Sequence, residues 1–166
     1  MAEVTTLYDE DFLAWSRQQA EALRAAARIG SNQLLDWENL AEEIESLGIS
    51  QRSALHSQIC RIIRHLIKLE YSSVSDPRRG WEESIGDARA EIERLLETSP
   101  SLKAELGADI TAETRRAVRL AIGDLQRHGE SERLDLARLR NLSYTADQIL
   151  GDWFPATLDQ PQGSAQ

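Results

Sequence analysis

Apolar residues recur along this chain at intervals of three and four, and no stretch alternates apolar with polar in the manner of a strand. The pattern predicts an all-α chain of about six helices. The first is expected from about Asp9 to Ala27, with Phe12, Trp15, Gln19, Ala22 and Ala26 along one stripe and Leu23 beside it. Glu10 and Asp11 at its start, and Arg24 and Arg28 near its end, suit the helix dipole. Gly30-Ser31-Asn32 is the expected stop. In the second, Asp36 is the expected N-cap, since its carboxylate can accept from unpaired backbone N–H groups. Leu35 and Leu40 are spaced as a hydrophobic staple, Trp37, Leu40, Ala41, Ile44 and Leu47 share a face, and Gly48 is read as the left-handed terminator.

A third helix is expected to start at Ser50 and run to about Tyr71. Leu55, Ile59, Ile62, Ile63, Leu66, Ile67 and Leu69 give it a face broad enough for the centre of a fold, and Arg61, Arg64 and Lys68 form its polar strip. With only Ile49-Ser50 between them, the second and third helices are expected to be a central antiparallel pair whose acidic and basic flanks meet. A loop with Asp76-Pro77 follows, then a helix from about Trp81 to Glu97. Gly86 inside it costs about 1 kcal/mol against alanine and points to close packing there. Pro100 suits a helix start, and residues 101–126 read as one long helix or as two split at Gly107 and Thr111. Gly129 ends that part. A short helix near Glu132 to Leu139, a last turn capped by Ser143 or Thr145, and a hydrophobic clip Trp153-Phe154-Pro155 complete the pattern. One helical domain over 7–155 is expected, with tails at 1–6 and 156–166, the latter flexible.

Composition narrows the class. With 41% hydrophobic and 28% charged residues in 166, the chain has enough apolar sequence for a real core. It has no apolar run of membrane-spanning length and no basic-then-apolar leader at its start. A single cysteine, Cys60, excludes an internal disulfide, and a reducing cytoplasm is the expected setting. The net charge of −9 is uneven: residues 1–50 hold ten acids against three bases, the remainder eighteen against sixteen. An acidic N-terminal third opposes general binding to nucleic acid and suits a basic partner, a cation or simple solvation.

Several runs resemble a bacterial family, the domain of unknown function numbered twenty-nine. They are Leu7-Tyr8-Asp9-x-Asp11-Phe12-x-x-Trp15, then Asp36-Trp37-x-x-Leu40-Ala41-Glu42-Glu43-Ile44-Glu45-x-Leu47-Gly48, then His65-Leu66-x-Lys68-x-x-Tyr71. Trp81-x-x-Ser84-Ile85-x-x-x-Arg89, Leu95-Leu96-x-x-Ser99-Pro100-Ser101-Leu102 and the closing Tyr144-Thr145 to Trp153-Phe154-Pro155 continue the match. The resemblance implies an all-helical fold and no assigned reaction. Between Gly107 and Leu142 the arginine-rich sequence does not follow the family pattern.

Candidate chemistry centres on Glu42, Glu45, His65 and Trp37. Glu42-x-x-Glu45 is a one-turn spacing of the kind that holds a divalent metal in helical bundles, but it needs a second pair opposite. Only Glu70, Glu82, Glu83 and Asp87 offer one, so no cofactor is expected beyond such a metal. The plainer expectation pairs the glutamates with Arg61, Arg64 and Lys68. His65 can serve as base, ligand or ion-pair partner. His56 and Cys60, four apart, read as a hydrogen-bonded histidine beside a core thiol rather than as two metal ligands, and His128 as an exposed residue near a helix end. Trp15, Trp37, Trp81 and Trp153 read as helix-end packing or the lining of a pocket or partner surface. Without a nucleophile elbow or phosphate loop, the expected function is a non-enzymatic interaction or structural protein that meets itself or another protein. A metal-dependent hydrolase at Glu42, Glu45 and His65 is the alternative. A second alternative is nucleic-acid contact through Arg115-Arg116-x-x-Arg119.

Overall fold

The computed structural model describes residues 6–30, 34–130 and 134–156. Seven α-helices and no strand occur among them: α1 (Leu7–Glu10), α2 (Phe12–Ile29), α3 (Trp37–Tyr71), α4 (Arg78–Thr98), α5 (Leu106–Arg127), α6 (Leu136–Arg140) and α7 (Ala146–Leu150). A 3-10 segment, Pro100–Glu105, leads into α5. The chain forms two compact units, one of Met1–Leu55 with Glu93–Ala104, the other of His56–Ile92 with Glu105–Gln166. Helices α3 and α4 each contribute to both.

The all-helical expectation holds, but the expected antiparallel pair does not exist. Residues 37–71 are one continuous helix of 35 residues. Asp36 caps it as expected, accepting from Asn39 N at 3.3 Å. Gly48 then fails to stop it. Ser50, read as the next cap, donates its hydroxyl to Ser46 O one turn back, at 2.8 Å. Gly48 instead makes room for a neighbouring helix. A Cβ there would lie 2.2 Å from Ser16 Oγ and 2.8 Å from Leu13 Cδ1. The missing side chain lets α3 approach α2 closely, and Ser16 and Ala20 of α2 and Ala41 of α3 are fully buried.

In the first unit, Asp11 interrupts what the periodicity reads as one helix. Its backbone is extended, and its carboxylate accepts from Ala14 N at 2.9 Å to cap α2. The same carboxylate accepts from Ser101 N at 2.7 Å and Ser101 Oγ at 2.9 Å, fixing the start of the 3-10 segment. Tyr8, Phe12 and Trp15 pack as an aromatic cluster, with Tyr8 edge-on to Trp15 at 4.8 Å. Gly30 ends α2 at φ 77°; Ser31 and Asn32, the rest of the expected stop, lie outside the described residues.

The second unit holds most of the core: Ile59, Ile62, Ile63, Leu66 and Ile67 of α3, Ile85 and Ile92 of α4, Leu139 of α6 and Ile149 of α7 are fully buried. Residues 101–126 are divided next to Gly107: the 3-10 segment precedes a single α5, which runs through Thr111 without a break. Gly129, at φ 76°, ends it, with Glu130 N bonded back to Leu125 O. The buried Glu130 carboxylate accepts from Ser72 Oγ and Ser73 N, both at 2.8 Å, so it holds the chain just after α3. Arg89 of α4 donates to Ile149 O, Gln148 O and Trp153 O at 2.9, 3.1 and 2.7 Å. The first two are carbonyls in the last turn of α7 and the third lies just beyond it, and the Arg89 guanidinium also lies over Phe154. Thr145 caps α7 as expected. Gly86 has nothing within 4 Å of a Cβ, so its expected close packing is absent. Of the short helix expected from Glu132, the part up to Arg133 lies outside the described residues, and α6 begins at Leu136 behind the cap of Asp135. Most of both expected tails also lies outside them.

Candidate functional site

The continuity of α3 rearranges every residue singled out from the sequence. Glu45 and His65 are twenty residues apart on one helix, about 30 Å along its axis. They cannot face each other across a helix pair, and the expected pairing of Glu42 and Glu45 with Arg61, Arg64 and Lys68 gives way to other partners. Glu45 accepts from Arg24 Nη2 of α2 at 2.6 Å. That hydrogen bond holds its carboxyl below the usual range and raises Arg24. Glu38, Glu42 and Glu43 are exposed. Trp37 Nε1 is buried with no hydrogen-bond partner among the described residues.

The basic strip belongs to a different constellation. Arg64 grips Asp124 of α5 through Nε and Nη2, both at 2.7 Å, in a bidentate pair. Lys68 Nζ stands 3.5 Å from the same carboxylate and 5.1 Å from the centre of the Trp81 ring. Arg127 adds a bond to Asp124 at 2.6 Å. These cations hold Asp124 far below the usual carboxylate range, the hydrogen bond from Arg64 being the largest cause. Burial pulls Lys68 down, against the attraction of Asp124.

His65 sits beside this network in a cavity of about 250 Å³ that Cys60, Arg61, Arg64 and Arg116 also line. Burial, reinforced by Lys68, Arg64 and Arg61, lowers its pKa to about 4, so the ring is neutral at pH 7. Its Nδ1 is buried without a hydrogen-bond partner among the described residues. Burial, helped by Glu113, raises the Cys60 thiol, which therefore stays protonated and weakly nucleophilic. The guanidinium groups around the neutral imidazole oppose a divalent cation and favour a small anion or water. No group of three or more His, Cys, Asp or Glu able to hold a metal occurs among the described residues.

The other candidates are dispersed. His56 lies 3.0 Å from Asp109 and 3.6 Å from Glu113, both buried acids of α5. His128 Nδ1 is 2.8 Å from Asp124 O at the end of α5. Glu70 pairs with Arg138, and Glu83 with Arg79. Each of these tryptophans has its own local contact: Trp15 joins the α1–α2 aromatic cluster, Trp81 lies under Lys68, and Trp153 meets Tyr144 edge-on. Sequence reasoning missed Asp109, Glu113, Asp124 and Glu130, the buried acids. The available signal was their helical phase: Asp109 and Glu113 are four apart and border Ile110 and Ala117, so they had to lie at the edge of a buried face.

Together the fold and site define an all-α protein with a basic cavity beside a neutral histidine. A model of the family described as a domain of unknown function, DUF29, matches residues 7–154, and the chain belongs to that family. The crystal structure of an alpha-helical protein of unknown function from Rhodospirillum rubrum resembles it with a TM-score of 0.72 at 28% identity, over 90% of this chain and 91% of that one. No curated protein matches. Among the described residues, no helix is long and apolar enough to cross a membrane.

Proposed function

We propose that this is a non-enzymatic interaction protein, and that the N-terminal half of α3 is the face that meets its partner. One observation carries the reading. Leu40, Leu47 and Ile49 are 41%, 50% and 59% exposed on a stretch of α3, from Trp37 to Ala54, whose buried residues are Ala41 and Gly48. Leu34 and Leu35 just before the helix are exposed as well. Leu40 and Leu47 are two turns apart on one side, a seam suited to another helix. Glu38, Glu42 and Glu43 border the apolar positions with no ion pair among the described residues. Their charge repels a second acidic copy and attracts a basic one, so the partner is a protein segment that forms a basic amphipathic helix. A cytoplasmic setting, consistent with a single buried thiol, belongs to the same reading.

Fluorescence anisotropy with a labelled amphipathic peptide bearing lysines on its polar face tests this, with the glutamate version of the peptide as control. The lysine peptide should bind, weaken with salt, and lose at least ten-fold in affinity to the variant Leu40→Asp/Leu47→Asp. Equal binding by the variant, or none by the wild type, would end the proposal. Sedimentation of the same two proteins supplies the other outcome. A wild-type dimer that the variant dissolves would assign the face to a second copy.

A further inference from the structure

A second cavity, independent of α3, lies in the second unit between the outward side of α5 and the segment that follows α6. Its volume is about 520 Å³, within the range of small-molecule sites. Arg115 and Arg119 line it from α5, one turn apart and therefore on one face, and Arg140 lines it from the end of α6. None of the three has an ion-pair partner among the described residues. No acid lines the cavity among the described residues. Three like charges around one hollow with no counter-charge repel one another, and an anion placed between them removes that cost.

The rest of the wall says which anion. Val118, Ile122 and Leu142 give it an apolar portion that a bare inorganic ion would not use. Ser143 also lines it and makes no hydrogen bond among the described residues, so its hydroxyl is free to donate to a ligand oxygen. Guanidinium groups match phosphate oxygens in bidentate geometry. The arrangement also divides the arginine run of α5. Arg115 and Arg119 face this cavity, whereas Arg116 lines the His65 cavity and stands 3.7 Å from Glu113. A continuous basic stripe for a nucleic-acid backbone is therefore not formed. We infer that this cavity binds a small organic phosphate ester, the phosphate held by Arg115, Arg119 and Arg140 and the organic group set against Val118, Ile122 and Leu142.

Calorimetric titration of the full chain tests the site with five probes: inorganic phosphate, ribose 5-phosphate, adenosine monophosphate, benzoate and a twelve-nucleotide single-stranded RNA. At least one ester should bind saturably and more tightly than inorganic phosphate and benzoate. Arg119→Ala and Arg140→Ala, both at exposed positions and so compatible with folding, should each weaken it about ten-fold. Arg79→Ala, on the surface of α4, should leave it unchanged. No saturable binding by either ester, or binding indifferent to Arg119 and Arg140, overturns the inference. Inorganic phosphate binding as tightly as the esters removes the role of the apolar wall, and RNA binding more tightly than either ester replaces the inference with a nucleic-acid surface.

Discussion

One helix shows two opposite ways of being held. From His56 to Tyr71, α3 is a core helix: Ile59, Ile62, Ile63, Leu66 and Ile67 are fully buried, and its polar edge is clamped to Asp124. From Trp37 to Ala54 the same helix buries Ala41 and Gly48 and leaves Leu40, Leu47 and Ile49 open. The N-terminal half adheres by backbone proximity, the C-terminal half by side-chain volume. A helix held through small residues keeps its large ones free, and this makes the acidic half the place to look for a partner.

Truncating a large side chain in each half is the strongest way to break the comparison. Ile63→Ala should destabilise the protein by about 4 kcal/mol, through lost burial plus the cavity left behind. Leu47→Ala should change it by no more than about 0.5 kcal/mol, since the position is half exposed and alanine favours the helix. Chemical denaturation of the two variants decides. Similar losses would mean that the two halves are held alike.

Next in size comes the clamp on the buried half. Asp124→Asn keeps the shape of the side chain but leaves Arg64, Lys68 and Arg127 facing one another without a counter-charge. Because Arg64 is partly exposed, the expected loss is about 2 kcal/mol, below the figure for a fully buried pair. A midpoint in denaturant equal to that of the wild type would show that the clamp adds nothing to stability.

The glycines sharpen the contrast from the other side. Alanine ordinarily improves a helix by about 1 kcal/mol over glycine. Gly86→Ala, with open space around it, should show that gain. Gly48→Ala should instead lose about 1 to 2 kcal/mol, because its methyl meets Ser16 Oγ at 2.2 Å. Ser16→Ala in the same chain removes that oxygen and should restore most of the loss, leaving the flexible end of Leu13 to adjust. If Gly48→Ala stabilises the protein as Gly86→Ala does, α2 and α3 are further apart than the 2.2 Å approach requires.

The same two glycines explain what the sequence conceals. Periodicity locates nearly every helical segment, since a helix that buries one face must repeat every three to four residues. The caps Asp36 and Thr145, and the terminal Gly30 and Gly129, follow from local chemistry that needs no distant partner. Gly48 misleads because a terminating glycine and a contact glycine look identical in a string; only the presence of Ser16 distinguishes them, and it lies on another helix. That single ambiguity is what sets Glu42 and Glu45 opposite His65 in a reading of the sequence. The true partner of Arg64 and Lys68, Asp124, lies 60 residues further on from Arg64, on another helix. Long-range ion pairs carry no local signature, whereas caps do.

The smallest expected effect is the pH response of the buried half, and it isolates His65. Above about pH 6.5 the ring is neutral in both folded and unfolded chains and contributes nothing to the pH dependence. Between 6.5 and about 4 the unfolded chain takes up a proton that the folded chain refuses, because burial and the neighbouring Lys68, Arg64 and Arg61 oppose the charge. Stability must therefore fall as the pH drops through this window, by about 1 kcal/mol once partial exposure is allowed for. Asp124, held far below its usual range, has begun to lose its contribution only below pH 3.8 and stays out of the window. His65→Gln keeps a polar side chain but cannot titrate, so its stability should decline less than that of the wild type between pH 7 and 4.5. Parallel decline of the two proteins would mean that His65 is as free to protonate when folded as when unfolded, and the cavity beside Cys60 would then be wetter and less cationic than its lining implies.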